Sequence, residues 1–407
     1  MSGRPFLQIP GPTNVPERVL RAMDRAVIDH RSPEFAELTQ AVRSGLRAVF
    51  GTRDGVPMLY PASGTGAIEA ALVNTLVPGD RVLVYSYGIF GAGLAVIARK
   101  FGLDVDEVVL GFGKALPTED LEARLQADGR GKRYSAVLVV HNETSTGVTV
   151  DVGAVRRAMD AAQHPALLVV DTVSSLGCMD FRMDDWRVDI AICGSQKGLM
   201  LPPGLGILCV GPRALARAES SGSPRHFWDW APIMRENRFG LFPYTPATLM
   251  LFGLREALKM LVDEEGLDAV YARHKRLAAG VRAAVHAWGL ATVCEDPACY
   301  SNSITAVRVP EGFDSNALIR HARERYNLAL GGGIGPLNGL VFRLGHLGSL
   351  NELEVLGMIG GTELAFADLG VDLQPGSGLL ACQRTFLHLS TADGQAIAAR
   401  LYEAARV

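Results

Sequence analysis

Runs of four or five consecutive apolar residues recur through the first half of the chain and alternate with segments of helical period. Arg81-Val-Leu-Val-Tyr85 and residues 136–140, 166–170, 190–193 and 207–210 carry such runs. None shows the in-out alternation of a half-solvated strand, so each predicts a strand covered on both faces. Residues 91–100 and 152–162 read as helices between them, and Phe35, Leu38, Val42, Leu46 and Val49 mark an amphipathic helix over 34–50. The alternation predicts an α/β fold with a mostly parallel, doubly wound central sheet.

The two ends of the chain follow other patterns. Ile9-Pro-Gly-Pro-Thr-Asn-Val-Pro16 holds three prolines and predicts an extended, irregular arm before a helix that starts near Glu17. Such an arm often lies across another subunit or a site. Past Tyr244, residues 248–262 read as helical and lead into a long connecting helix over 267–288. Residues 308–407 then alternate short strands and helices, with Gly331-Gly-Gly-Ile-Gly335 as a flexible loop. The resulting division is an N-terminal arm (1–17), a large domain (18–262) and a smaller C-terminal α/β domain (263–407).

Composition narrows the possibilities. With 407 residues, 48% hydrophobic and 20% charged, the chain has room for one large domain and a smaller one. Forty basic against forty-three acidic side chains leave a net charge of -3. No global charge draws it to nucleic acid or to an anionic membrane. Six scattered cysteines form neither a CxxC pair nor a metal spacing, which predicts reduced core thiols, no metal and a cytoplasmic type of compartment. The start, Met-Ser-Gly-Arg-Pro-Phe, lacks the segments of a signal peptide, no apolar run reaches membrane-spanning length, and the final Ala-Ala-Arg-Val matches no known address.

Candidate chemistry gathers where the strands end. Lys197 follows the apolar run 190–193 in a Gly-Ser-Gln-Lys turn, with Pro202 and Pro203 close behind. It is either an awkward structural lysine or an amine made nucleophilic by its apolar setting. Asp171 directly follows five apolar residues, as a capping carboxylate or as the partner of a cationic ring nitrogen. Ser63-Gly64-Thr65-Gly66 opens an alanine-rich helix, as a phosphate cradle or a plain capping turn. It matches neither a Walker motif nor GxGxxG. Tyr87 and Phe90, His141-Asn-Glu-Thr144 and Ser195-Gln-Lys197 stand at further strand ends, where doubly wound sheets bind ligands. His30 and Arg31 form a polar turn that faces either a ligand or solvent, and His30 is a candidate substrate contact.

Ser63-Gly-Thr, His141-Asn-Glu-Thr-Ser-Thr-Gly147, Asp171-Thr-Val-Ser-Ser, Gly194-Ser-Gln-Lys-Gly and Phe342-Arg-Leu-Gly-His346 together resemble the class V aminotransferases dependent on pyridoxal 5'-phosphate. Within them the chain is nearest to the bacterial serine-glyoxylate type, and similar to the aspartate-glyoxylate and alanine-glyoxylate types. The similarity runs from Pro10-Gly-Pro-Thr-Asn14 through Phe242-Pro-Tyr-Thr-Pro246 to Gly376-Ser-Gly378. It implies the type I fold of pyridoxal-phosphate-dependent aminotransferases, a homodimer with shared active sites, and glyoxylate as amino acceptor.

The resemblance also implies a role for each matching residue. Lys197 matches the lysine that carries the cofactor, and Asp171 the carboxylate facing its ring nitrogen. Phe90 falls where an aromatic ring covers the cofactor, and Thr144 beside the ring. Ser63, Gly64, Thr65 and Gln196 match residues around the phosphate, with Thr245 contributed by the other subunit. Arg343 matches the arginine that grips the substrate carboxylate. The glycine-rich stretch 331–335 departs from its relatives, which carry longer polar residues there, and leaves the donor open among serine, aspartate and alanine. A lyase or desulfurase using the same cofactor, and a nucleotide-binding oxidoreductase, are the competing readings. A desulfurase needs a mobile nucleophilic cysteine, and neither Cys294 nor Cys299 stands in a suitable loop.

Overall fold

The computed structural model describes residues 5–128, 131 and 133–390. The first four residues of the arm and residues 391–407 of the smaller domain lie outside that set, and with them most of the N-terminal stretch and all of the C-terminal stretch searched for address signals.

In chain order the elements are β1 (Phe6–Gln8), α1 (Glu17–Met23), α2 (Pro33–Phe50), β2 (Val56–Pro61), α3 (Gly64–Thr75), β3 (Arg81–Ser86), α4 (Ile89–Lys100), β4 (Asp104–Val109), α5 (Thr118–Ala127) and β5 (Tyr134–Val140). A small hairpin follows, β6 (Asn142–Glu143) with β7 (Val148–Thr149), then α6 (Val152–Ala161), β8 (Leu167–Asp171), β9 (Ile190–Gly194), β10 (Leu205–Val210), α7 (Pro212–Ser220), α8 (Trp230–Asn237), α9 (Thr248–Leu258) and α10 (Leu267–Ala287). The chain continues through β11 (Ile304–Arg308), α11 (Ser315–Tyr326), β12 (Leu328–Gly332), β13 (Val341–Gly345), α12 (Glu352–Asp368) and α13 (Ser377–Ser390).

Seven strands form the large sheet in the order β2-β10-β9-β8-β5-β3-β4. Strands β9, β8, β5, β3 and β4 run parallel, whereas β10 is antiparallel to both β9 and β2. The reversal has a simple cause. Ten residues without a helix join β9 to β10, enough for a turn back but too few for a crossover. The apolar runs behave as their pattern predicts: every residue of β8, β9 and β10 is buried. Strand β4 was not legible because its Asp104, Asp106 and Glu107 break the apolar pattern. It lies at the sheet's edge, where charge discourages further pairing, and Arg81 of β3 reaches Asp106 at 3.1 Å. Helix α5 buries only Leu121 and Leu125, a two-residue signal.

A second sheet, β1-β12-β13-β11, serves the C-terminal part. Residues 9–16 are irregular as their prolines predict, and just before them Phe6–Gln8 pairs in parallel with Leu328–Leu330. One result differs from the sequence reading. Gly331 and Gly332 are not loop but the end of β12, opposite Arg343 and Phe342 of β13. The glycines are there for space. A Cβ on Gly331 would stand 2.5 Å from Pro10 Cδ, and one on Gly345 would stand 2.0 Å from Ile9 O. The second sheet therefore leaves a channel for the N-terminal segment. Helix α10 spans both cores, with Val270 in the large one and Leu277, Val281 and Val285 in the smaller. No helix among the described residues is long and apolar enough to cross a membrane.

Candidate active site

Strands β2, β3, β5, β8 and β9 all point their carboxyl ends at one edge of the large sheet, so the segments that follow them meet there. The turn after β9 is tightly held. Ser195 Oγ donates to Pro202 O (2.7 Å) and accepts from Leu205 N (3.1 Å), and Met200 N donates to Lys197 O (2.9 Å). The N-terminal segment crosses this turn. Thr13 N donates to Gln196 O (3.1 Å), Thr13 Oγ1 to Lys197 O (3.2 Å), and Lys197 Nζ donates to Pro10 O. A Cβ on Gly11 would fall 2.4 to 2.7 Å from the Lys197 side chain, so only glycine lets the backbone pass. The arm thus lies across the site of its own chain.

Charge balance at this edge is set by burial. Burial lowers the Lys197 pKa from 10.5 to about 8, the Arg343 guanidinium adds to the effect, and Asp171 opposes it. Asp171, 7% exposed, moves the other way. Burial raises its carboxyl to about 6, against the Val173 amide that donates to Oδ1 at 2.8 Å and the Lys197 charge; Glu143 pushes it up further. For each group burial outweighs the neighbours that favour its charged form. Arg343, 8% exposed on β13, donates from Nε to Gly332 O (2.7 Å) and from Nη1 to Thr144 O (3.1 Å). Burial lowers its pKa to about 10, and it stays cationic at neutral pH.

Two helices begin at the same edge and differ in one respect. Ser63 is the N-cap of α3, but its side chain makes no capping hydrogen bond. Ser63 and Thr65 are exposed, and the first-turn amides of Gly64, Thr65 and Gly66 have no intrahelical acceptor. Nearby, Gln196 Oε1 is buried without a hydrogen-bond partner. A single point, the Cβ that Gly194 lacks, lies 2.8 Å from Gln196 Oε1 and 3.5 Å from Gly64 N. The uncapped helix start, with its free first-turn amides, is suited to an anion, whereas the orphaned Gln196 Oε1 is an acceptor and adds no donor to it as oriented here. Helix α4 is closed instead. Ile89 N donates to Ser145 Oγ (3.0 Å), while Phe90 N and Gly91 N donate to Glu143 Oε2 (2.9 and 3.0 Å).

These residues fit pyridoxal 5'-phosphate: an amine, a carboxylate lacking a cation, and an open helix start within one edge. Phe90 lies in the first turn of α4 and is 42% exposed, so the ring that composition would send to the core is available to a ligand. Thr144 is buried in the turn after β6 and gives its carbonyl to Arg343. Among the described residues no hydrogen bond joins Thr245 or His30 to this group. Thr245 is exposed in the loop before α9, and His30 is half-buried in a turn closed by Arg31 N on Asp29 Oδ1 (2.9 Å). Sequence reasoning missed Glu143, Ser145 and Pro10. Glu143 and Ser145 hold main-chain amides of positions 89–91, and Pro10 offers its own carbonyl to Lys197, contacts that no residue pattern displays.

A family model described as aminotransferase class-V matches residues 6–335. The chain is 49% identical to a serine-glyoxylate aminotransferase of Methylorubrum extorquens, over 93% of this chain and 95% of that one. It is 46% identical to an L-aspartate-glyoxylate aminotransferase of Paracoccus denitrificans, over 94% of this chain and 96% of that one. Among solved structures, a ureidoglycine-glyoxylate aminotransferase from Bacillus subtilis superposes with a TM-score of 0.87 at 27% identity, covering 95% of this chain and 99% of that one.

Proposed function

The chain belongs to the class V aminotransferases, and on that footing we propose that it moves an amino group from an L-amino acid, serine foremost, to glyoxylate. Glycine and a 2-oxo acid, hydroxypyruvate from serine, are the products. The observation that carries this reading is the placement of Lys197 and Asp171 at one sheet edge, close enough to feel each other's charge and each with its charged form disfavoured by burial.

Pyridoxal 5'-phosphate, when bound, supplies a carbonyl that captures amines and a ring that withdraws electrons from the substrate's α-carbon. The protein supplies the rest. Lys197 Nζ holds the cofactor between turnovers and, once released, takes the proton from the substrate Cα and delivers it again as general base and acid. Asp171 keeps a proton on the ring nitrogen by accepting its hydrogen bond. Ser63, Gly64, Thr65 and Gln196 hold the phosphate, joined by Thr245 from the second copy in a homodimer. Phe90 would supply an aromatic ring against the cofactor and Thr144 a polar neighbour for it. Arg343 presents a planar fork to the α-carboxylate of donor and acceptor in turn.

The amino group stays on the enzyme between substrates, so the kinetics are ping-pong. A desulfurase is disfavoured because it needs a mobile reactive thiol, whereas Cys294 is buried with its thiol pushed up to about 11 and burial raises that of Cys299. The test is a panel of serine, aspartate and alanine as donors with glyoxylate, following glycine. The purified protein should show a visible absorbance band removed by borohydride and absent in Lys197→Ala. A colourless protein after supply of the cofactor would end this reading, and glycine formed fastest from aspartate or alanine would reassign the donor.

A further inference from the structure

Glu143 is fully enclosed, at 0% exposure, and every hydrogen bond its carboxylate makes is to the protein. Oε2 accepts from Phe90 N (2.9 Å) and Gly91 N (3.0 Å), and Oε1 accepts from Ser145 N (3.0 Å) and Ser145 Oγ (2.6 Å). The Ser145 hydroxyl also takes Ile89 N at 3.0 Å, and Ala92 N ends on Gly88 O at 3.2 Å. The opening amides of α4 are thus all satisfied, with a carboxylate at the positive end of the helix. Nothing remains there for a ligand, in contrast to α3.

Gly88 makes this closure possible. A Cβ there would stand 2.4 Å from Glu143 Cδ and Cγ and 2.5 Å from Ser145 Oγ. Its φ of 174° is ordinary extended backbone, so the position requires space and not a glycine conformation. Thr144, between Glu143 and Ser145, gives its carbonyl to Arg343 Nη1 at 3.1 Å. One three-residue turn therefore grips the helix that carries Phe90 on one side and the guanidinium of Arg343 on the other.

We infer that Glu143 is a positioning residue, which sets the ring of Phe90 against the cofactor and, through the Thr144 carbonyl, holds Arg343 in register with it. The inference rests on the proposed function, which gives Phe90 and Arg343 their roles. Glu143→Gln keeps the shape but offers an acceptor on one side only. Its NH2 must confront either the amides of Phe90 and Gly91 or that of Ser145, donor against donor.

The experiment is a double-mutant cycle of Glu143→Gln with Phe90→Leu, reading the dissociation constant of pyridoxal phosphate and the visible circular dichroism of the bound cofactor. Leaving a buried donor unpaired predicts that Glu143→Gln alone weakens binding about tenfold and diminishes the dichroic band. In the Phe90→Leu background the same change should add less than about twofold, because the group it positions is gone. If Glu143→Gln does not fold, Ser145→Ala, which removes only the hydroxyl bridging Ile89 N and Glu143, runs the same cycle with a smaller effect of the same sign. Additive effects, or an unchanged Glu143→Gln, overturn the inference alone. A wild-type chain lacking the borohydride-sensitive band overturns the proposed function and this inference with it.

Discussion

Lys197 stands where burial works against its charge and the Pro10 carbonyl works for it. With a pKa near 8 in place of 10.5, the amine is mostly neutral above pH 8 and mostly protonated below. Only the neutral amine attacks a carbonyl. Capture of pyridoxal phosphate by the apo-protein should therefore rise with pH through an inflection near 8 and then level off. Stopped-flow absorbance from pH 6 to 10 measures it, and an inflection near 10.5 would show that the pocket does not depress the amine. Arg343 gives a second expectation. Arg343→Lys removes the planar fork and should raise KM for donor and for glyoxylate by about tenfold each; unchanged steady-state constants would take Arg343 out of the site. Asp171 was legible because it directly follows an apolar run, and Lys197 because it is a lone cation in the turn between such a run and two prolines. Glu143 sits three residues past Val140 but bonds to the main-chain amides of Phe90, Gly91 and Ser145, and sequence does not show which amides lack acceptors.

Among the elements, the glycines near the second sheet separate two physical roles. Gly345 on β13 has the Ile9 carbonyl where a side chain would begin, and backbone cannot swing aside. Gly345→Ala should cost about 1–3 kcal/mol and loosen the arm over Lys197, read as a lower thermal midpoint together with faster loss of the cofactor's visible band to borohydride. Gly360, inside α12, has open space around its missing Cβ. Gly360→Ala should stabilise by about 0.5–1 kcal/mol, and a loss of stability there would refute the reading of that face. Both are glycines in regular structure with opposite consequences, and the sequence does not distinguish them. The same limit explains why Gly331-Gly-Gly read as a loop. Glycine-rich composition signals freedom, whereas here it signals close packing against Pro10. The strands of the large sheet were legible because burial on both faces leaves an unbroken apolar run.

For the whole molecule, the layout of one large sheet and one small one followed from the alternation of strand and helix patterns, and the crossing of the N-terminal segment over Lys197 did not. That crossing joins residues far apart in sequence, which local patterns do not encode. The proposed reaction makes a kinetic expectation at this scale. Double-reciprocal plots of rate against donor at several glyoxylate concentrations should give parallel lines, and converging lines would mean that both substrates occupy the site together.

Strand β1, near the beginning of the chain, pairs Phe6 with Leu328 and feeds Pro10 to Lys197 past Gly345. On the ribosome that strand emerges first, yet its partner does not exist until most of the chain has been made, about twenty seconds to a minute later at ordinary translation rates. The large sheet can form in the interval, because all its strands lie before residue 211. The segment over Lys197 must then wait, unpaired, for β12 and β13. Assembly of the lysine's surroundings is accordingly one of the last events of synthesis, and a nascent chain stalled before β12 would carry the Lys197 amine without its cover.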